Sequence, residues 1–302
     1  MGRPFLNRIL LQPGSLPLDW VNAPFLAYSM RQLRTNYTGP CLRVRRSSDN
    51  AEQDIGFAIN GVLDTTSLLS FVGANNGRIV TWYDQSGQGL NVAQSTGSSQ
   101  PTIVSSGSLI TQNNSPAIDF DGSSWRLTGV TGAAALLSNA TGLYLSHIHK
   151  PDNFTAQRYL AAWTTPANTS NRLGVRLETT AAYAVVGRRL DSDSFTTSTF
   201  IGSTAPTELQ IMGVSINLSV TNDDTLYRNG TLFGPMDTFS PGSNFDTTVA
   251  GSFTIGALGT NTPGAFYDGK VGEFVAIKNG ITEQQRLDIQ FNQAKHWGIT
   301  LA

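Results

Sequence analysis

From Met212 to Val220 the chain alternates without a break: Met212, Val214, Ile216, Leu218 and Val220 are apolar, and Gly213, Ser215, Asn217 and Ser219 separate them. A period of two puts every apolar side chain on one face of a strand. The segment Leu226-Tyr-Arg-Asn-Gly-Thr-Leu-Phe233 follows, with Asn229-Gly230 at its centre, the pair best suited to the positive dihedrals of a type I′ turn. A one-faced strand feeding a tight hairpin belongs to an antiparallel sheet. The 30 glycines and 13 prolines mark many short elements, and 14% charged residues are too few for a helical bundle. With 39% hydrophobic residues the chain can bury a core. Strands and helices do not alternate regularly, which points to a sandwich over a parallel sheet. A length of 302 residues suits one large sandwich with an appendage.

Other elements can be placed by their period and caps. Leu26, Met30, Leu33 and Tyr37 fall at steps of four, three and four, which predicts a short helix over 24–37. Leu42-Arg-Val-Arg45 alternates as a half-buried strand. Asp64 is placed to cap a second short helix carrying Leu68, Phe71 and Val72. A last strand is expected near Val271–Ile277. The closing helix opens on a Thr282/Gln285 capping box, carries Leu287, Phe291, Ala294 and Trp297 at helical spacing, and stops at Gly298. Residues 1–24 are broken by Pro4, Pro13, Gly14, Pro17 and Pro24 and read as an extended N-terminal arm, with the domain proper at 25–302. Such an arm needs a surface to hold it, either its own domain or a neighbouring subunit.

Charge excludes some partners. Lys plus Arg number 20 against 21 Asp plus Glu, a net charge of −1, so no overall field attracts nucleic acid or an anionic membrane surface. No stretch approaches the roughly 18 apolar residues of a membrane span. The run Ile9-Leu10-Leu11 ends at Gln12-Pro13-Gly14, too short for a secretory signal, so a soluble chain is expected. The single cysteine, Cys41, excludes an internal disulfide and any multi-thiolate zinc site, and reads as a small buried residue.

Three clusters carry candidate chemistry. Trp82, Tyr83, Asp84 and Gln85 set two aromatic rings beside two polar side chains at a strand end, as sugar stacking plus hydroxyl recognition would need; a buried network holding a turn is the competing reading. Asp49, Glu52 and Asp54 lie within six residues and could converge on calcium, while Arg43, Arg45 and Arg46 just upstream could neutralise them as ion pairs. Calcium is the one cofactor this pattern raises. His147 and His149 share one strand face at a spacing that binds a transition metal only if a third ligand arrives; His296 lies on the last helix.

Several stretches resemble known families. Ser115-Pro-Ala-Ile-Asp-Phe-Asp-Gly-Ser123, the Leu226–Gly230 hairpin, Phe266-Tyr-Asp-Gly-Lys-Val-Gly-Glu-Phe274 and the terminal helix resemble, in that order, the concanavalin A-like (laminin-G-like) jelly roll. Tyr28-Ser-Met-Arg-Gln-Leu-Arg34, Arg43 to Phe57, and Trp82-Tyr-Asp-Gln-Ser-Gly-Gln-Gly89 resemble the catalytic domain of α-L-arabinofuranosidase B, itself a sandwich of that kind. The expected fold is therefore an all-β antiparallel jelly-roll sandwich with an N-terminal arm, short helices and a C-terminal helix.

The resemblance implies a glutamate nucleophile and an aspartate acid/base, the latter in a loop just before the Phe-Tyr strand. Here that loop reads Ile255-Gly-Ala-Leu-Gly-Thr-Asn-Thr-Pro-Gly-Ala-Phe-Tyr267 without a carboxylate, so Ala257 or Leu258 stands at the matching position. Glu178, in Arg176-Leu-Glu-Thr-Thr180, lacks the flanking pattern of the nucleophile, and the family's paired cysteines cannot form from Cys41 alone. No catalytic residue is assigned. The Arg45–Phe57 block is also similar to segments of bacteriophage virion proteins. That likeness implies a non-enzymatic structural protein of the virion, on head or tail, joined to other virion proteins through residues 1–24 as a homo-oligomer and binding a host surface glycan. The alternatives are an arabinofuranosidase-like hydrolase and a stand-alone carbohydrate-binding module.

Overall fold

A computed structural model describes residues 15–23, 25–129, 132–179, 182–194, 196–200, 207–218, 224–236 and 244–302. The central strand of the first sheet, Gly142–Pro151, pairs with Gln210–Asn217 on one side and Asp268–Lys278 on the other. Asp224–Arg228 and Thr231–Met236 extend the sheet beyond Gln210–Asn217. The far edge of Asp268–Lys278 is shared end to end by Phe25–Ser29 and Ile118–Asp121. In the second sheet Arg158–Thr164 lies between Asn171–Leu177 and Phe253–Ile255, continuing to Tyr183–Gly187 and Thr196–Phe200 on one flank and Leu127–Gly129 on the other. Leu42–Arg46, Glu52–Ile55 and Gly77–Trp82 close one end and reach the rest through Val92–Ala93 and Thr102–Ser105. All these pairings are antiparallel, as the jelly-roll expectation requires.

Alternation decides what each face meets. Leu143, Leu145, Met212, Val214 and Ile216 of the first sheet meet Trp163, Leu173, Val175, Val185 and Phe253 of the second in one continuous core. The hairpin turns at Asn229 and Gly230, with φ of 48° and 86°, the two positive values a type I′ turn needs. Helix α1, Thr65–Val72, is capped by the Asp64 carboxylate, which accepts from the Ser67 N–H. Helix α2 is the single turn Gly132–Ala135.

Segment 24–37 overturns the helix expected there. Phe25–Ser29 is a strand, buried throughout and paired with Glu273–Ile277. Leu26 and Tyr28 enter the main core, whereas Phe25 and Ala27 face a second cluster with Leu18, Val21 and Ile289. A strand covered on both faces reads as a continuous apolar run, which periodicity cannot separate from a buried helix.

Residues 15–23 of the expected arm lie against the domain. Leu18 and Val21 are buried on this chain's own sheet, and Asp19 accepts from Leu16 and Thr35. Residues 1–14 of the expected arm lie outside the described residues.

Helix α3, Glu283–Trp297, has the expected capping box and a left-handed Gly298. Its buried face differs from the predicted stripe. Phe291 is 50% exposed, while Arg286, Gln290 and Gln293 are buried beside Ile289, Ala294 and Trp297. The sheet beneath explains this: Glu273, Ser146 and Ser29 point outward from it and need polar partners. Gln293 accepts from the Ser146 hydroxyl and donates to Glu273, and Arg31 donates to Glu273.

Candidate functional site

Trp82, Asp84 and Gln85 of the tract Trp82–Gln85 are buried, so the stacking face expected at Trp82 is not presented to solvent. Trp82 has no exposed surface and packs 5.7 Å from the Tyr28 ring. Asp84 accepts from the Ala27, Ser86 and Leu90 N–H groups and from the Ser86 hydroxyl. Burial pushes its carboxyl pKa up, and these four donors oppose the rise. Gln85 accepts from the Leu33 N–H and donates to the Ser29 and Arg31 carbonyls. These two side chains fix Phe25–Ser29 and the bend after it to the strand Gly77–Trp82. Tyr83 is half-buried and donates to Asp54. The network reading of this tract is the one its geometry satisfies.

The acid cluster is committed to arginines. Arg43 pairs with Glu52 at 2.7 Å and Asp54 at 3.2 Å across adjacent strands, and Arg46 pairs with Asp49 at 2.6 Å. The Arg46 guanidinium holds the Asp49 carboxyl at about 2. Arg45 donates instead to Gln100, Asn50 and the Gly97 carbonyl. Among the described residues no group of three His, Cys, Asp or Glu side chains converges as a metal site. Cys41 is fully buried, and burial pushes its thiol pKa up.

A third polar group lies on the outer face of the second sheet, around the Glu178 that the sequence offered without a nucleophile's flanking pattern. Leu173, Val175 and Leu177 enter the core, so Gly174, Arg176 and Glu178 face the other way. Tyr159, Ala162, Ala184 and Val186 line the same side, packed against Leu258 and Ala265. Arg176 donates from Nε to the Glu178 carboxylate and from Nη1 to the Tyr159 hydroxyl at 3.2 Å. Asn171 also donates to that hydroxyl, at 3.3 Å. The second Glu178 oxygen accepts from Gln157 at 2.8 Å, and Gln157 is exposed. Burial raises the Tyr159 pKa, so the phenol keeps its proton. A carboxylate offers about four acceptor positions, of which Glu178 uses two here, and the Tyr159 proton remains for donation.

The chain over this face explains what is missing. Leu258 and Gly264 exchange two backbone hydrogen bonds, and Asn261 ties the turn between them to Ala167 and Asn168. The Tyr159 N–H donates to the Ala265 carbonyl, and Ala265 takes a positive φ of 48° to allow it. Ala257 is buried, and Leu258 packs on the Tyr159 side. The position expected to carry a proton donor therefore presents hydrocarbon. Asp191 has both oxygens bound to Arg172, at 2.7 and 3.1 Å.

One signal could have located this face. Arg172-x-Gly174-x-Arg176-x-Glu178 alternates with Leu173, Val175 and Leu177 as regularly as the strand at 212–220, with charge on its polar side. Tyr159 and Gln157 carry no such signal, because folding alone brings them within reach.

The catalytic-domain model of α-L-arabinofuranosidase B matches residues 22–124, about a third of the chain. The chain also has the fold of solved arabinofuranosidases. It superposes on an arabinofuranosidase complexed with arabinofuranosyl-α-1,2-xylobiose with a TM-score of 0.66 at 12% identity, over 91% of this chain and 63% of that one. A glycoside hydrolase family 54 α-L-arabinofuranosidase soaked with a cyclic sulfate inhibitor gives a TM-score of 0.58 at 13% identity, over 88% and 61%. The chain thus spans about three fifths of the length of these enzymes. No curated protein matches it by sequence.

Proposed function

We propose that this domain recognises carbohydrate on an arabinofuranosidase-type sandwich without cleaving it, through the outer face built by Tyr159, Arg176, Glu178, Asn171 and Gln157. The carrying observation is the pairing of an arginine-positioned carboxylate with a covering hairpin that has no acid. Glu178 is oriented by Arg176 and approached through exposed Gln157. Retaining hydrolysis needs a second carboxyl about 5 Å away to protonate the leaving oxygen, and inversion needs one about 6.5–9.5 Å away. The hairpin over Tyr159 offers Leu258 and Ala265. A carboxylate, a guanidinium and a phenol suit a sugar, whose hydroxyls both donate and accept. One of the solved arabinofuranosidases is complexed with arabinofuranosyl-α-1,2-xylobiose, so arabinofuranose-decorated glycans are the first class to test.

The test is calorimetric titration of an arabinofuranosyl xylooligosaccharide panel, with sugar release followed on the same samples. The expected result is saturable binding that Glu178→Gln abolishes, without free arabinose. Arabinose released by the native chain and lost in Glu178→Gln would replace this reading with hydrolysis.

Attachment to a virion rests on the N-terminal arm. Leu18 and Val21 of that arm pack on the chain's own sheet, so the proposal assigns attachment to residues 1–14, which lie outside the described residues. Deleting them should leave the sandwich folded and prevent incorporation into particles; full incorporation would contradict the attachment.

A further inference from the structure

We propose that the His147–His149 pair is an acid-triggered release built into the core, so that protonation there drives the two sheets apart. Both histidines project inward from the strand Gly142–Pro151 and have no exposed surface. Their rings meet edge to face with centroids 4.9 Å apart. His147 stacks on Phe274 of the neighbouring strand, and His149 lies 5.5 Å from the Tyr183 ring of the opposite sheet. The pair therefore sits where the two sheets meet. One of the four ring nitrogens has a partner, His149 Nδ1, which is 3.0 Å from the Tyr267 hydroxyl. Among the described residues neither nitrogen of His147 has one, nor has Nε2 of His149. A hydrocarbon would fill this space without the cost of burying unpaired polar atoms.

The surroundings would not accommodate a charge. The titratable groups facing the pair are the Tyr183 and Tyr267 phenols, which burial keeps protonated. Met212 and Phe274 flank His147 in register on the two adjoining strands, and Gln210, opposite His149, donates to the Tyr183 hydroxyl. Glu273 precedes Phe274 on the same strand but faces α3, where it binds Arg31. Asp119, Asp152 and Asp268 act on Tyr267, and Arg228 acts on Tyr183. Among the described residues no carboxylate bonds either imidazole.

Burial drives His147 down to about 3; it also drives His149 well below the usual imidazole range, with the His147 charge adding to the effect. Both folded values lie below the ordinary 6.5, so the unfolded chain binds the protons first as pH falls. The stability held by two neutral rings is complete above about pH 6.5 and falls as pH drops below it. Each ring then lowers the folding constant by up to about tenfold per pH unit. Asp84 and Asp119, whose values are raised, act in the opposite sense. His296, half-buried on α3 and lowered to about 4, acts in the same sense and has to be removed as a control.

The experiment is urea unfolding of the full chain at pH steps from 7 to 4.5, in a His296→Gln background. The expected slope of the logarithm of the folding constant against pH drops by about one on adding His147→Leu. An unchanged slope overturns the proposal. Should His147→Leu fail to fold, NMR titration of the native ring protons decides. Two rings staying neutral until the protein unfolds cooperatively support the release, and either ring titrating near pH 6.5 in the folded chain overturns it.

Discussion

Glu273 and Glu178 are both arginine-bound glutamates on outward faces of their sheets, and the difference between them separates a structural group from the group proposed for recognition. Glu273 lies under α3, 1% exposed, with four contacts on its two oxygens: Arg31 twice at 2.9 and 3.2 Å, Ser29 at 2.9 Å and Gln293 at 3.0 Å. Its acceptor capacity is used up. Glu178 has Arg176 and Gln157, and Gln157 is exposed. Saturation marks the polar group that holds the fold, and spare acceptor capacity beside an exposed side chain is the basis for proposing Glu178 as the binding group. Asp84 falls on the saturated side, with four donors, despite the aromatic neighbours that made its tract resemble a sugar site.

The largest expected effect is at the saturated seam. Glu273→Ala strands the buried Arg31 guanidinium, for a loss of about 3–5 kcal/mol in urea unfolding. Burial pushes the Glu273 carboxyl pKa up, but Arg31 outweighs this and the net shift is downward. Its stabilisation is therefore whole above the ordinary glutamate value of about 4.5 and is lost as pH falls through the lowered one; Glu273→Gln should flatten that limb of the acid profile. Asp84→Ala comes next, leaving three backbone donors unpaired, at about 1–3 kcal/mol. Glu178→Gln should change stability by about 1 kcal/mol or less while removing glycan binding, and a loss comparable to Glu273→Ala would break the contrast. Arg43→Ala, which opens exposed ion pairs, should leave the urea midpoint unchanged.

The elements legible in the sequence were those whose two sides meet different surroundings. The strand Gln210–Asn217, within which the alternation from Met212 falls, the Asn229-Gly230 turn and the caps Asp64, Thr282 and Gly298 all follow from alternation or from local hydrogen bonding. Phe25–Ser29 was misread because both of its faces are covered, which erases the period. The stripe on α3 was misread because the sheet beneath it is polar, so glutamines and an arginine lie inward and Phe291 outward. The candidate site followed the same rule: the charged alternation of 172–178 was present in the sequence, whereas Tyr159 and Gln157 reach Glu178 through pairings set by the fold. Of the arginines around Asp49, Glu52 and Asp54, Arg43 pairs across the strands because the register sets it opposite Asp54, Arg46 reaches Asp49 three residues on, and Arg45, opposite Glu52, bonds Gln100, Asn50 and the Gly97 carbonyl instead.

Crystals soaked with an arabinofuranosyl xylooligosaccharide test the central claim most directly. An intact sugar seated on Arg176 and Glu178, displacing the Gln157 amide, is the result expected. A cleaved sugar, a sugar covalently attached to Glu178, or an intact one bound elsewhere with this face empty would contradict it.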